Sequence, residues 1–133
     1  MEFEGIAHTA YNVSDMEASL DFYVKKLGFK HAFSLKRENG ENWIEYLQVA
    51  PGQFVELFYS KGGFTTGGSY SHLCLRVKDC AATAKELEAI GVKLDAQVKQ
   101  GSDSNYQCWI RDPDGNRIEI MQIAPTSPQA KFE

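Results

Sequence analysis

Pro51-Gly52-Gln53-Phe54-Val55-Glu56-Leu57 and Asp114-Gly115-Asn116-Arg117-Ile118-Glu119-Ile120 are one pattern written twice. Each opens on a turn-forming dipeptide and runs into a strand whose carboxylate is flanked by aliphatic residues. Working outward at an offset of 63 or 64 places, His8 lies on His72, Val13 on Val77, and Asp15 on Asp79. Gly28 falls on Gly91 and Gly52 on Gly115. That period is too long for a solenoid unit, and there are only two copies. Each copy is therefore a half-module that must share its buried surface with the other.

In the first copy, Ile6 to Val13 reads as a strand. A helix follows from about Asp15 to Leu27, with Leu20, Tyr23, Val24 and Leu27 as its apolar stripe. Ser14 with Glu17 fits a capping box, but the repeat favours Asp15 as the cap because its counterpart is Asp79. Gly28 stops the helix. Three strands follow, Lys30 to Arg37, Trp43 to Val49 and Gln53 to Tyr59, with turn signals at Asn39-Gly40 and Pro51-Gly52. The second copy repeats the order. Strand Tyr70 to Val77 leads to a helix from Asp79 to Ile90, with Cys80, Ala84, Leu87 and Ile90 facing inward, and Gly91 ends it. Strands follow at Lys93 to Lys99, Asn105 to Arg111 and Arg117 to Ile123. The fold class is α+β, two βαβββ modules.

At 133 residues the chain is one domain, built from module 5–60 and module 70–123. A Gly-rich connector, residues 61–69, joins them, and the tail from Ala124 is expected to end outside the sheet. Net charge is −4, from 14 basic and 18 acidic residues, which argues against nucleic acid or an anionic membrane as partner. No apolar run approaches the ~20 residues of a membrane span. The acidic start, Met1-Glu2-Phe3-Glu4, is not the pattern of a targeting segment. Cys74, Cys80 and Cys108 are an odd number with no C-x-x-C, so a reducing, cytoplasmic setting is expected. Cys74 and Cys108 read as small buried hydrophobes, His31 as an exposed residue, and Glu45 as belonging to the solvated face of its strand.

The repeat singles out His8, Glu56, His72 and Glu119. An unpaired carboxylate in an apolar strand costs several kcal/mol. No Lys or Arg recurs at matched places in both copies, and only Arg117, two residues before Glu119, offers one of them a cation. Two imidazoles and two carboxylates resolve the cost if they share a divalent cation. Mixed N and O donors suit Ni, Co, Zn, Mn or Fe, with room left for water. The alternative is an ordinary strand His and a surface Glu at each place.

The chain resembles the vicinal oxygen chelate superfamily, and within it glyoxalase I. His8-Thr9-Ala10-Tyr11-Asn12-Val13-Ser14-Asp15, Ser19-Leu20-Asp21-Phe22-Tyr23 and Leu27-Gly28-Phe29 resemble the opening motif of that family. Asp112-Pro113-Asp114-Gly115-Asn116-Arg117-Ile118-Glu119 resembles the closing motif. The resemblance implies the glyoxalase/bleomycin resistance/dioxygenase fold, an eight-stranded cup with the metal at its floor. It implies His8, Glu56, His72 and Glu119 as ligands of one divalent ion, nickel or cobalt in the bacterial type. It implies a lyase that converts the hemithioacetal of methylglyoxal or another 2-oxoaldehyde and a thiol, normally glutathione, to a 2-hydroxyacyl thioester through an enediolate. Glu119 would be the base and Glu56 would cover the other face. It also implies a homodimer, with modules paired within a chain or exchanged between chains.

Asn12 stands where that family has an Arg for the glutathione carboxylate, and Ser60 where an Asn is common. A neutral amide grips a carboxylate less firmly than a bidentate guanidinium, so the thiol is left open, with Arg76 and Arg111 as substitutes. Trp43, Tyr46, Phe58, Tyr106, Trp109 and Met121 are expected to supply apolar wall. Two other readings stand beside this one. One is a metal-dependent isomerase of the same superfamily acting on a sugar or keto acid. The other is a non-catalytic small-molecule binding protein of the same fold.

Overall fold

A computed structural model describes residues 2, 6–60, 70 and 72–132. The chain divides into two compact units, Met1–Thr65 and Thr66–Glu133. The first runs β1 (His8–Val13), α1 (Met16–Leu20), a π-helical continuation (Asp21–Lys26), β2 (Lys30–Lys36), β3 (Asn42–Ala50) and β4 (Gln53–Tyr59). The second runs β5 (Leu73–Arg76), α2 (Cys80–Ala89), β6 (Ala96–Gln100), β7 (Tyr106–Arg111) and β8 (Arg117–Gln122), and a short 3-10 turn, Pro128–Phe132, follows. The sheets have orders β1-β4-β3-β2 and β5-β8-β7-β6. In each, the first strand lies parallel to the last, and the rest of the sheet is antiparallel. The expected connector, residues 61–69, lies outside the described residues.

Local chemistry accounts for the helix limits. Asp15 Oδ1 accepts from the Ala18 N–H at 3.1 Å, and Asp79 Oδ1 from the Ala82 N–H at 2.9 Å. Each aspartate satisfies one of the donors that a helix start leaves orphaned. Gly28 and Gly91 stand at φ +78° and +85°, the left-handed turn that ends each helix. Pleating then gives each sheet two different faces. Val55, Leu57 and Leu47 alternate into the core of the first unit, and Cys108, Ile110, Ile118 and Ile120 into that of the second, with Cys80.

Several expectations change. The first helix does not hold one α-helical register. Leu27 N–H bonds to Phe22 O, five residues back, so the final turns widen. Ser19, Phe22 and Tyr23 are therefore its buried residues, while Leu20, Val24 and Leu27 of the expected stripe are only half-buried. Ile90 is not inward but 49% exposed, because α2 ends before it. The tail leaves the sheet as expected but packs back: Ala124 donates its N–H to the buried Asn105 side chain at 2.9 Å, and Ser127 is fully buried.

Candidate metal centre

The two carboxylates singled out by the repeat occupy matching places. On β4, Glu56 pairs with Ala10 of β1, and on β8, Glu119 pairs with Cys74 of β5. Alternation puts both on the face opposite the aliphatic core of their own sheet. They are nevertheless 4% and 5% exposed. Each has an imidazole beside it, one strand over and displaced along the chain. His8 Nδ1 lies 3.3 Å from Glu56 Oε1, and His72 Nε2 lies 3.2 Å from Glu119 Oε2.

The turns before β4 and β8 set this placement. In the second unit, Asp112 Oδ1 accepts the N–H groups of Asp114 at 2.9 Å and Asn116 at 2.8 Å. Its Oδ2 takes the Asn116 side-chain amide at 2.9 Å. One buried carboxylate thus closes the Asp112–Asn116 loop and fixes where β8 begins. In the first unit the shorter Pro51-Gly52 turn does the same for β4, with Gly52 at φ +73°.

Around each pair the neighbours differ. Tyr46 lies opposite Glu56 in the strand register, and the nearness of that carboxylate, more than burial, holds its phenol above its ordinary value. Trp109 lies opposite Glu119, meets the His72 ring edge-on at 4.9 Å, and carries the Arg117 guanidinium over its own face at 4.1 Å. Arg117 and Arg111 share Asp95, at 3.5 and 3.0 Å. Cys74 is exposed and not a buried hydrophobe, because it shares the Glu119 face. Desolvation at its sulfur, then the Glu119 charge, push the thiol up to about 12, so it is no ready nucleophile. Cys108 is fully buried as expected.

Of the expected apolar wall, Tyr46, Phe58, Trp109 and Met121 alternate onto the carboxylate faces. Tyr106 alternates onto the opposite face, by strand parity, whereas Trp43 stands at a register shift between β2 and β3 and meets the Phe58 ring edge-on at 6.3 Å. A second carboxylate was misread. Glu45 is 7% exposed, on the other side of the first sheet from Glu56. Its Oε1 accepts the Tyr59 hydroxyl at 2.7 Å; its Oε2 accepts Ser34 and sits 2.6 Å from His31 Nε2. His31 is exposed, as expected, but tethered. The detectable signal was the repeat itself, because the place equivalent to Glu45 in the second copy holds the buried Cys108.

Both His–Glu separations fit two neighbouring ligands of one ion. Donors ~2.1 Å from a shared metal stand about 3.0 Å apart at a right angle and about 3.4 Å apart at the tetrahedral angle. Each unit thus supplies one imidazole and one carboxylate of suitable spacing. Among the described residues, no group of three or more His, Cys, Asp or Glu side chains is drawn together into a metal-binding cluster.

The model of the Glyoxalase/Bleomycin resistance protein/Dioxygenase superfamily matches residues 5–120. A probable lactoylglutathione lyase of Vibrio cholerae is 30% identical over 127 residues, covering 88% of this chain and 89% of the relative. A lactoylglutathione lyase of Pseudomonas putida is 28% identical, covering 89% of this chain and 84% of the relative. Among solved structures, a glyoxalase family protein of Enterococcus faecalis superposes with a TM-score of 0.76 at 26% identity, covering 91% of this chain and 99% of that one.

Proposed function

The chain belongs to the Glyoxalase/Bleomycin resistance protein/Dioxygenase superfamily, and from that premise we propose that it is a metal-dependent lyase of the glyoxalase I type. The observation that carries the reading is the matched His8–Glu56 and His72–Glu119 pairs, 3.3 and 3.2 Å apart, at repeat-equivalent positions. Relatives named lactoylglutathione lyase support the activity. The four residues together would hold one divalent ion, nickel or cobalt by preference, with zinc, manganese or iron as alternatives. The proposal takes residues 5–60 and 70–123 as the two modules of one domain, and a homodimer as the assembly.

When bound, the metal supplies Lewis acidity toward substrate oxygens, which lowers the cost of removing the neighbouring carbon-bound proton. The side chains do the rest. Glu119 takes that proton from the hemithioacetal of a 2-oxoaldehyde and returns it to the adjacent carbon, leaving a 2-hydroxyacyl thioester. Glu56 covers the opposite face. Tyr46, Phe58 and Trp109 wall the faces that carry the two carboxylates and keep water from the developing charge. Asn12 and Ser60 give a weaker hold on a carboxylate than a guanidinium would, so the thiol need not be glutathione. The three cysteines are free, which suits a reducing cytoplasm; no helix among the described residues is long and apolar enough to cross a membrane.

The test is turnover of methylglyoxal with glutathione and with other thiols, after reconstitution with Ni, Co, Mn or Zn. Thioester formation with one of these thiols is the expected result. Stoichiometric metal binding with no turnover on any thiol would overturn the lyase assignment in favour of an isomerase acting on a sugar or keto acid.

A further inference from the structure

The position two residues before each repeat carboxylate is filled differently in the two units. In the first, Phe54 precedes Glu56 and meets the Tyr46 ring edge-on at 6.4 Å. In the second, the equivalent places hold Arg117 and Trp109, and the guanidinium lies over the indole at 4.1 Å. The same indole meets the His72 ring edge-on at 4.9 Å. Arg117 shares the face of Glu119, because the two are separated by one residue of β8, and Trp109 pairs with Glu119 across the strands. Where the first unit is apolar, the second thus sets a cation on an aromatic ring next to its imidazole and carboxylate.

Arg117 forms its ion pair with Asp95 rather than with Glu119. Its Nε lies 3.5 Å from Asp95 Oδ2, while Arg111 Nε donates to Asp95 Oδ1 at 3.0 Å. Arg111 also donates from Nη1 to Gly115 O at 3.0 Å, and the Asp95 N–H bonds Trp109 O at 2.6 Å. Arg111 is therefore a brace, with its donors committed to protein oxygens. The places equivalent to Asp95 and Arg111 in the first copy hold Ala32 and Gln48, so the whole device belongs to the second unit. Two guanidiniums share one carboxylate, which leaves a surplus of positive charge. The Arg117 side chain is 44% exposed, and its two Nη groups meet no acceptor among the described residues. An ion pair this exposed contributes little to folding. Stacking and the brace have already removed the rotamer freedom that binding an anion would otherwise cost.

We propose that Arg117 is the specificity-determining residue for the thiol, its guanidinium receiving a carboxylate of the thiol cosubstrate while Trp109 and Asp95 hold it in place. This inference rests on the lyase reading above and names the class of thiol: one that carries a carboxylate. It assigns to Arg117 the task for which Arg76 and Arg111 were the expected substitutes.

The probes are unreactive thioethers, S-benzyl mercaptocarboxylates with one, two or three carbons between sulfur and carboxylate, each paired with its neutral amide. Affinity for protein reconstituted with Zn2+ is read by calorimetric titration. The wild type is expected to favour at least one carboxylate over its amide by about 10-fold, the lower end for a hydrogen-bonded charge at a part-exposed site. Arg117→Met keeps a stem to pack on Trp109 and removes the charge; the preference should fall to about 2-fold or less, with amide affinity unchanged. Arg117→Lys keeps a point charge without the fork and should give an intermediate preference. A wild-type preference retained in Arg117→Met, or one lost in Arg76→Met instead, would overturn the inference. So would amide binding that weakens in Arg117→Met as much as carboxylate binding, since the residue would then serve packing alone. Absence of thioester formation in the turnover test would overturn the lyase reading separately, because these probes bind without reacting.

Discussion

Removing the Tyr59 hydroxyl should destabilise the first unit, and the loss should depend on pH. The hydroxyl donates to Glu45 Oε1 at 2.7 Å, and the Glu45 side chain is 10% exposed. A hydrogen bond to a charged group contributes about 1.5–3 kcal/mol. Because the His31 side chain is 40% exposed, water reaches the edge of the cluster, and the lower half of that range applies. Tyr59→Phe should therefore cost about 1.5–2 kcal/mol at pH 7, or roughly 5–10 °C in melting temperature for a chain of this size. Burial alone would raise the Glu45 carboxyl, but hydrogen bonds from Ser34, His31 and Tyr59 outweigh it and hold the group below its ordinary 4.5. A carboxyl lowered by folding stabilises the fold above its unfolded value and loses that contribution as pH falls through the folded one. Tyr59→Phe moves the folded value back toward 4.5, so the gap between variant and wild type should narrow below about pH 4.5. Urea unfolding from pH 3 to 7 measures it. Equal stability at pH 7, or a gap of unchanged size at pH 3, would refute the argument.

Two further perturbations test the placement of the strands. Asp112→Ala leaves two backbone N–H groups and the Asn116 amide without their acceptor, and should lower stability by about 2–4 kcal/mol in chemical denaturation; a cost under ~1 kcal/mol would mean that the turn is held by other contacts. Gly91→Ala meets no atom within 4 Å but must adopt φ +85°, so thermal unfolding should show a loss of about 1–2 kcal/mol from backbone strain alone.

The parts legible in the sequence are those written in local chemistry. Asp15, Asp79, Gly28 and Gly91 mark helix ends by what their own side chains or φ angles allow, and Pro51-Gly52 and Asp114-Gly115 mark hairpins in the same way. The repeat then made His8, Glu56, His72 and Glu119 stand out, since a surface charge has no reason to recur inside two apolar strands. The Glu45 cluster depended on tertiary register instead. An irregularity between His31 and Phe33 in β2 lets both His31 and Ser34 approach Glu45 from one strand, and no local pattern announces a bulge. The π-helical turns after Leu20 escaped for a similar reason. A period of 3.6 fits Leu20, Tyr23, Val24 and Leu27, whereas bonds five residues apart bury Phe22 with Tyr23 and set their rings edge to face at 5.1 Å. Tyr46 was read as apolar wall, because only the pairing of β3 with β4 sets it opposite Glu56.

The central claim is that His8, Glu56, His72 and Glu119 bind one divalent ion between them. Elemental analysis of protein purified without chelator tests it most directly, with wild type, His8→Ala and Glu119→Gln compared side by side. One equivalent of a transition metal per chain in the wild type, and a loss of metal and thioester-forming activity together in both variants, is the expected result. No stoichiometric metal in the wild type, or full occupancy in both variants, would contradict it.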